Sequence, residues 1–369
     1  MKKIPQLICI VLCMAALAGC SKNEPIKPAN SGEEMVAIEL SAMFEVEATR
    51  ATYVSQAIRN VLFAIFDDAG TFESVKSISD YSAGERIYLR VGRVYKIFAI
   101  ANLDNSNCPG GSVDNFFAGV STVADLDNLF LFAPTTVTPG KMIMCSDAPA
   151  RLDIVTGSPY FHTIPIRNIQ TKIDLNIYNR VTDSGGGTLA SGVTLHSYNI
   201  NALPGFSHML EQAADYSSPS SSADFWNTAV TIFPTGYTTE QLGSDWYRKY
   251  SIEIYTFENR QGVGTTTITN ANQRKEYAPQ FATEIVILGA DAAGHVFNTF
   301  VHPGKGRNIS GTTVVDDINN FDINRNCVYH INVVIYNTTN ISSDTRRQYY
   351  KTVLCGELED PGSGTGADF

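Results

Sequence analysis

Val36-Ala37-Ile38-Glu39-Leu40-Ser41-Ala42-Met43-Phe44-Glu45-Val46 alternates two classes of side chain without a break. On an extended chain Val36, Ile38, Leu40, Ala42, Phe44 and Val46 share one face, and Ala37, Glu39, Ser41, Met43, Glu45 and Glu47 share the other. A period of two marks a strand with one face buried. The segment before it, residues 20–34, is polar, carries two prolines and reads as a tether. Behind it, Ala48-Thr49-Arg50-Ala51 ends the pattern.

Short strand-like runs recur downstream, separated by turn residues. Residues 61–66 lead into Asp67-Asp68-Ala69-Gly70, a turn whose glycine suits a positive φ. Residues 87–91 and 94–101 flank Gly92 and predict a hairpin. Residues 125–132 predict a short helix, and 142–144 and 161–166 extended chain. A second series covers 172–178, 193–199, 229–233, 250–257, 284–288, 295–301 and 329–336. No amphipathic helical pattern is long enough to build βαβ units, so the fold class is all-β. The 369 residues suggest two domains. Their boundary falls near the Gly157-Ser158-Pro159 turn, giving units at 35–165 and 166–340, then a C-terminal segment and polar tail at 341–369.

Hydrophobic residues make up 44 % of the chain, enough for a core in each unit. A net charge of −10 leaves no basic stripe to displace counterions, which excludes a dedicated nucleic-acid binder. Lys2 and Lys3, an apolar stretch at 8–17 and Leu17-Ala18-Gly19-Cys20 together form a lipoprotein signal peptide over residues 1–19. Cys20 is then diacylated and becomes the new N-terminus. No later stretch is long and apolar enough to span a bilayer. Of the other six cysteines, Cys9 and Cys13 leave with the signal. Cys108, Cys145, Cys327 and Cys355 remain, either as disulfides, for which four cysteines allow three pairings, or as buried free thiols.

Signatures of chemistry are missing. There is no G-x-S-x-G elbow and no H-E-x-x-H helix, and the six histidines form no i, i+4 pair on a predicted helix. Gly304-Lys305-Gly306-Arg307 lacks the glycine spacing of a phosphate loop and no helix follows it. A calcium loop starting at Asp317 fails at its fifth position, Phe321. The Asp and Asn residues of 316–326 therefore read as turn residues serving local backbone donors. Trp226, Trp246 and the tyrosines read chiefly as core and cross-strand residues. The expectation is a protein without catalytic residues, metal or cofactor.

Four segments, in order, carry a family resemblance. Val61-Leu62-Phe63-Ala64-Ile65-Phe66-Asp67-Asp68-Ala69-Gly70 with Gly92-Arg93-Val94-Tyr95-Lys96-Ile97-Phe98-Ala99-Ile100-Ala101-Asn102 looks like a first-domain core. Arg167-Asn168-Ile169-Gln170-Thr171-Lys172-Ile173-Asp174 looks like the entry to a second domain. Tyr255-Thr256-Phe257-Glu258-Asn259-Arg260-Gln261-Gly262 is similar to a strand end, and Asp322-Ile323-Asn324-Arg325-Asn326 leads into a last long strand at 329–335. With the lipobox, this ordered set resembles the lipoprotein-derived fimbrillins of Bacteroidetes, the subunits of type V pili and their anchor and tip relatives.

The resemblance implies two transthyretin-like Greek-key β-sandwich domains, no catalysis, and polymerisation with other fimbrial subunits by strand exchange. It implies that residues 35–50, with Val36, Ile38, Leu40, Ala42, Phe44 and Val46 facing the core, are a removable self-strand. An Arg-specific protease then cuts at Arg50-Ala51. Tyr350, Thr352 and Leu354 alternate with Lys351 and Val353 and are the candidate donor strand, with pairing inside their own domain as the alternative. The implied location is the outer membrane, held by lipid on Cys20, and then the cell surface or fimbrium. The alternative is a non-polymerising, lipid-anchored adhesin or fimbrial anchor that binds a glycan or host protein and keeps Cys20. Ser21-Lys22-Asn23-Glu24 departs from the acidic run common after the lipid cysteine in surface-displayed relatives, which weakens the case for outward display.

Overall fold

The structure is a computed structural model of the chain and describes residues 34–44, 58–78, 86–132, 142–156, 160–181, 192–212, 221–243, 245–268, 273–304, 308–310, 313–315, 318–336 and 341–349. Its regular structure is mostly strand. The first half holds β1 (Met35–Phe44), β2 (Val61–Asp67), β3 (Phe72–Ile78), β4 (Arg86–Arg90), β5 (Val94–Ala101), β6 (Phe130–Phe132), β7 (Met144–Cys145), β8 (Ala150–Asp153) and β9 (Tyr160–Asn168). Two five-residue helices, α1 (Val113–Phe117) and α2 (Val123–Asp127), lie between β5 and β6. Eight of these strands join in the order β3-β2-β5-β7-β9-β1-β4, with β8 beside β5.

That sheet folds over on itself. Ile38, Leu40 and Ala42 of β1, Ile87 and Leu89 of β4, and Ile164 and Ile166 of β9 close on Val61, Phe63 and Ile65 of β2 and Ile97, Ala99 and Ala101 of β5. The intervening residues of β2 and β5 are buried as well. Leu62, Ala64, Phe66, Phe98 and Ile100 pack against Phe116 and Phe117 of α1 and Leu126 of α2. Burial on both faces explains why residues 61–66 form one unbroken apolar run instead of alternating.

The second half holds β10 (Gln170–Arg180), β11 (Thr194–Asn201), β12 (Leu203–Pro204), β13 (Phe206–His208), β14 (Phe225–Trp226), β15 (Thr231–Ile232), β16 (Thr238–Leu242) and β17 (Asp245–Phe257). The short helix α3 (Arg274–Tyr277), β18 (Glu284–Ala290), β19 (Val296–Val301), β20 (Asn308–Ser310), β21 (Thr313–Val315), β22 (Cys327–Ile335) and β23 (Ile341–Tyr349) follow. A sheet ordered β16-β17-β10-β22-β23 faces one ordered β15-β11-β18-β19 across a core of Ile173, Leu175, Ile177, Ile200, Ile254, Ile285, Ile287, Tyr329, Ile331 and Val333.

The two halves share one wiring scheme. β1 is antiparallel to β4 and parallel to β9, as β10 is antiparallel to β17 and parallel to β22. β2 lies between β3 and β5, as β11 lies between β15 and β18, and β8 and β19 extend the same edge. The seven equivalent strands occur in the same chain order in both halves. No repeat is readable in the sequence because pairing constrains faces rather than residue identities.

The hairpin expected around Gly92 is not formed. β4 pairs with β1, whereas β5 pairs with β2, β7 and β8, so the turn crosses from one layer to the other. Its backbone donors are taken from outside: Val91 N–H donates to Glu34 O and Gly92 N–H to Ile154 O. Gly92, at φ +76°, supplies the left-handed turn required either way. The helix expected at 125–132 is also corrected. α2 ends at Asp127, and residues 130–132 pair as β6 with β13, their backbone groups satisfied across the halves.

Candidate assembly site

β1 occupies a slot between two strands that belong to its own half. It pairs antiparallel with β4 from Met35↔Arg90 to Glu39↔Arg86, and parallel with β9 from Ile38↔Tyr160 to Phe44↔Ile166. Ile38, Leu40 and Ala42 point into the core and are buried, with Val36 half-buried beside them. On the outer face Ser41 Oγ and Thr163 Oγ1 are 2.9 Å apart, and Arg86 Nε lies 3.7 Å from Glu39 Oε2. An exposed ion pair of this kind contributes about 0–1 kcal/mol, and burying an Ile or Leu side chain about 1.5–3 kcal/mol each. The apolar face therefore holds β1, and a slip of one residue would turn that face outward. Withdrawing β1 would uncover the core and leave backbone groups unpaired on both β4 and β9.

The sequence expectations divide accordingly. Val36, Ile38, Leu40 and Ala42 lie together in the slot, and Phe44 is the last residue of β1. Cys20, Val46, Arg50, Ala51, Tyr350, Thr352, Leu354 and Cys355 lie outside the described residues. The segment just before Tyr350 is β23, antiparallel to β22 from Cys327↔Tyr349 to Ile335↔Ile341. The outer edge of β9 differs, since Pro165 there supplies no N–H to an added strand.

Charged and amide side chains tie the loops of the second half to one another. Arg325 donates from Nε to Glu258 Oε1 at 3.0 Å and from Nη2 to the same oxygen, and also to the carbonyls of His208 and Met209. Asn259 Nδ2 serves the carbonyls of Ala202 and Phe281. Arg274 lies over the Phe321 ring and donates to the carbonyls of Ile318 and Gly304. Asp322 Oδ1 accepts from Gly262 N–H, and Asn320 Oδ1 from Asp322 N–H, so this acidic stretch serves backbone donors. Sequence reasoning quoted Glu258 and Arg325 within separate motifs and missed their pairing, since each looks like a surface residue when read alone.

Among the described residues no group of three His, Cys, Asp or Glu could hold a metal ion. His302 is buried, which pushes its pKa down to about 4, and its Nδ1 lies 3.1 Å from Thr283 O. Cys327 is buried, and Cys108 and Cys145 are buried free thiols whose pKa burial pushes up to about 12. Such thiols are inert as nucleophiles.

No protein-family model matches the sequence, and no curated protein matches it significantly. Solved structures do share its fold. A candidate cell adhesion protein from Bacteroides eggerthii superposes with a TM-score of 0.55 at 15 % identity, over 86 % of this chain and 96 % of that one. Two candidate cell adhesion proteins from Parabacteroides distasonis give 0.54 at 13 % identity, over 86 % and 100 %, and 0.52 at 14 %, over 88 % and 98 %. Almost their whole length is matched, so the likeness covers both halves and the junction between them.

Proposed function

We propose that the chain is a structural or adhesive fimbrial subunit, exported as an outer-membrane lipoprotein through Cys20 and assembled by β-strand complementation. The observation that carries this reading is the placement of β1, the first described strand, in the interior of a sheet. The shared fold with candidate cell adhesion proteins and the sequence resemblance to fimbrillins support the same reading. Its halves, divided close to residues 165–166, are two transthyretin-like Greek-key sandwiches, and their common wiring supports that assignment.

Assembly begins with a cut at Arg50-Ala51 by an Arg-specific protease, which separates β1 from β2. β1 then leaves the slot, and a strand from another subunit, with Tyr350, Thr352 and Leu354 as candidate inward residues, replaces it. Both edges of the slot and its apolar floor reward any strand with the right alternation, as in β-augmentation. No chemistry is needed from the subunit for this assembly. The test is to cut the purified chain between β1 and β2 and follow its size by light scattering. Growth into polymers supports complementation, and a cut chain that loses β1 yet stays monomeric contradicts it.

A further inference from the structure

Between the end of β1 and the start of β2 the sequence holds two arginines and no lysine: Arg50 and Arg59. A protease that frees β1 by cutting after arginine therefore has two bonds to choose from. Of the two, the Arg59–Asn60 bond lies within the described residues, and the fold grips it. Arg59 N–H donates to Asn102 Oδ1 at 2.9 Å, and Asn60 O accepts from Asn102 N–H at 3.0 Å. Asn60 Nδ2 donates to Leu103 O at 2.5 Å. Ile58 packs against the core on one side, and Val61 pairs with both Ala101 and Ile78 on the other.

Asn102 is itself fixed. Its Nδ2 donates to Met142 O at 3.0 Å, and its carbonyl accepts from Asn107 Nδ2 at 2.8 Å. It sits at φ +62°, a left-handed conformation that asparagine tolerates better than other side chains. That twist at the end of β5 lets one residue present both its N–H and its side-chain oxygen to the strand beside it. The Arg59 side chain is exposed, so recognition by a protease is open to it while the peptide bond is not. Cleavage needs the backbone to leave its hydrogen bonds and enter the protease as extended chain.

We infer that Asn102 is a clamp on the Arg59–Asn60 bond that confines release of β1 to cleavage upstream of Ile58. The inference rests on the processing reading above and adds a positioning residue that chooses the site. Cutting at Arg59 instead would strip Ile58 from the core and leave β2 with a frayed start.

The test is limited digestion of the full chain with an arginine-specific endoprotease, with each cut located by mass spectrometry. Three proteins are compared: wild type; Asn102→Gly, which keeps the positive φ and the N–H to Asn60 O but removes the side-chain acceptor for Arg59 N–H; and Asn102→Asp, which keeps that acceptor while losing the donor to Met142 O. Wild type and Asn102→Asp are expected to resist at Arg59, while Asn102→Gly is cut there about tenfold faster. Arg180, the last residue of β10, is paired with Tyr247 and followed by Val181, whose N–H donates to Trp246 O; it reports on unfolding of the second half and should stay uncut in all three. Cleavage of wild type at Arg59 as fast as at Arg50 overturns the clamp. So does an Asn102→Gly protein with an unchanged Arg59 rate, or one in which Arg180 is cut in step with Arg59. A chain uncut at Arg50 but protected at Arg59 sinks the processing reading and leaves the clamp standing.

Discussion

Arg325 donates two hydrogen bonds, from Nε and Nη2, to a single oxygen of Glu258, and both side chains are only 6 % exposed. The pair lies where the core behind β2 and β5 meets Met209, Leu210 and Phe257 of the second half. Removing one partner strands a buried charge. Arg325→Ala or Glu258→Ala should each destabilise the chain by about 3–5 kcal/mol in denaturant unfolding. The double change Arg325→Met with Glu258→Leu should cost less than either single change. A double variant as unstable as the sum of the two would show that the pair is not a unit.

The slot makes a packing prediction. Leu40→Ala should cost about 2–5 kcal/mol, because a buried side chain is lost from a face shared by both layers. Glu39→Ala, which removes only the exposed partner of Arg86, should change stability by less than about 1 kcal/mol. Equilibrium unfolding in urea compares them directly. Equal effects would mean that β1 is not held by its apolar face.

His302 supplies a pH dependence. Its folded pKa is lowered from 6.5 to about 4 by burial, with Arg274 nearby adding to the shift and Glu284 Oε1 3.8 Å from its Nε2. A depressed folded pKa means that the unfolded chain binds the proton first. The stability tied to neutral His302 is complete above pH 6.5 and drains away as the pH falls towards 4. The loss is on the order of 3 kcal/mol at most. Unfolding midpoints measured from pH 7.5 to 4 should fall in that window and flatten in His302→Gln. The hydrogen-bonded carboxylates Asp67, Asp125 and Asp291 have pKa values lowered below 3.8, so their contribution is lost only at lower pH.

Gly304 is required by space rather than by φ. A Cβ there would lie 2.0 Å from Phe321 O, and the Gly304 carbonyl is held by Arg274. Gly304→Ala should lower the unfolding free energy by about 2 kcal/mol or more. Gly92→Ala, with open space but a positive φ, should cost about 1 kcal/mol. The same unfolding experiment ranks the two, and the opposite ranking would contradict the packing around Phe321.

Local pattern told which face of each strand is buried and left the partner undefined. The alternation at 36–44 is visible without any structure, and so is the apolar run of β2. The parallel partner of β1 is β9, more than a hundred residues away, and nothing in either strand names the other. Gly92 signals a turn in the sequence, yet whether the flanking strands pair or cross layers depends on the carbonyl acceptors that Glu34 and Ile154 offer to Val91 and Gly92 N–H. The seam is the least legible feature. Glu258 and Arg325 lie 67 residues apart, and only the folded chain shows that each supplies the charge the other is buried against. Asn102 had one cue, its position directly after an apolar strand, where a left-handed residue often ends the run.

Strand complementation turns on the fate of β1, which the N-terminus of the assembled protein reports. Protein sheared from intact cells and the cell-bound fraction should be compared by mass spectrometry of their N-terminal peptides. Complementation after cleavage at Arg50 gives a sheared form that begins at Ala51. A protein found only in the cell-bound fraction, beginning at diacylated Cys20, would contradict it and point to a lipid-anchored adhesin that keeps its own strand.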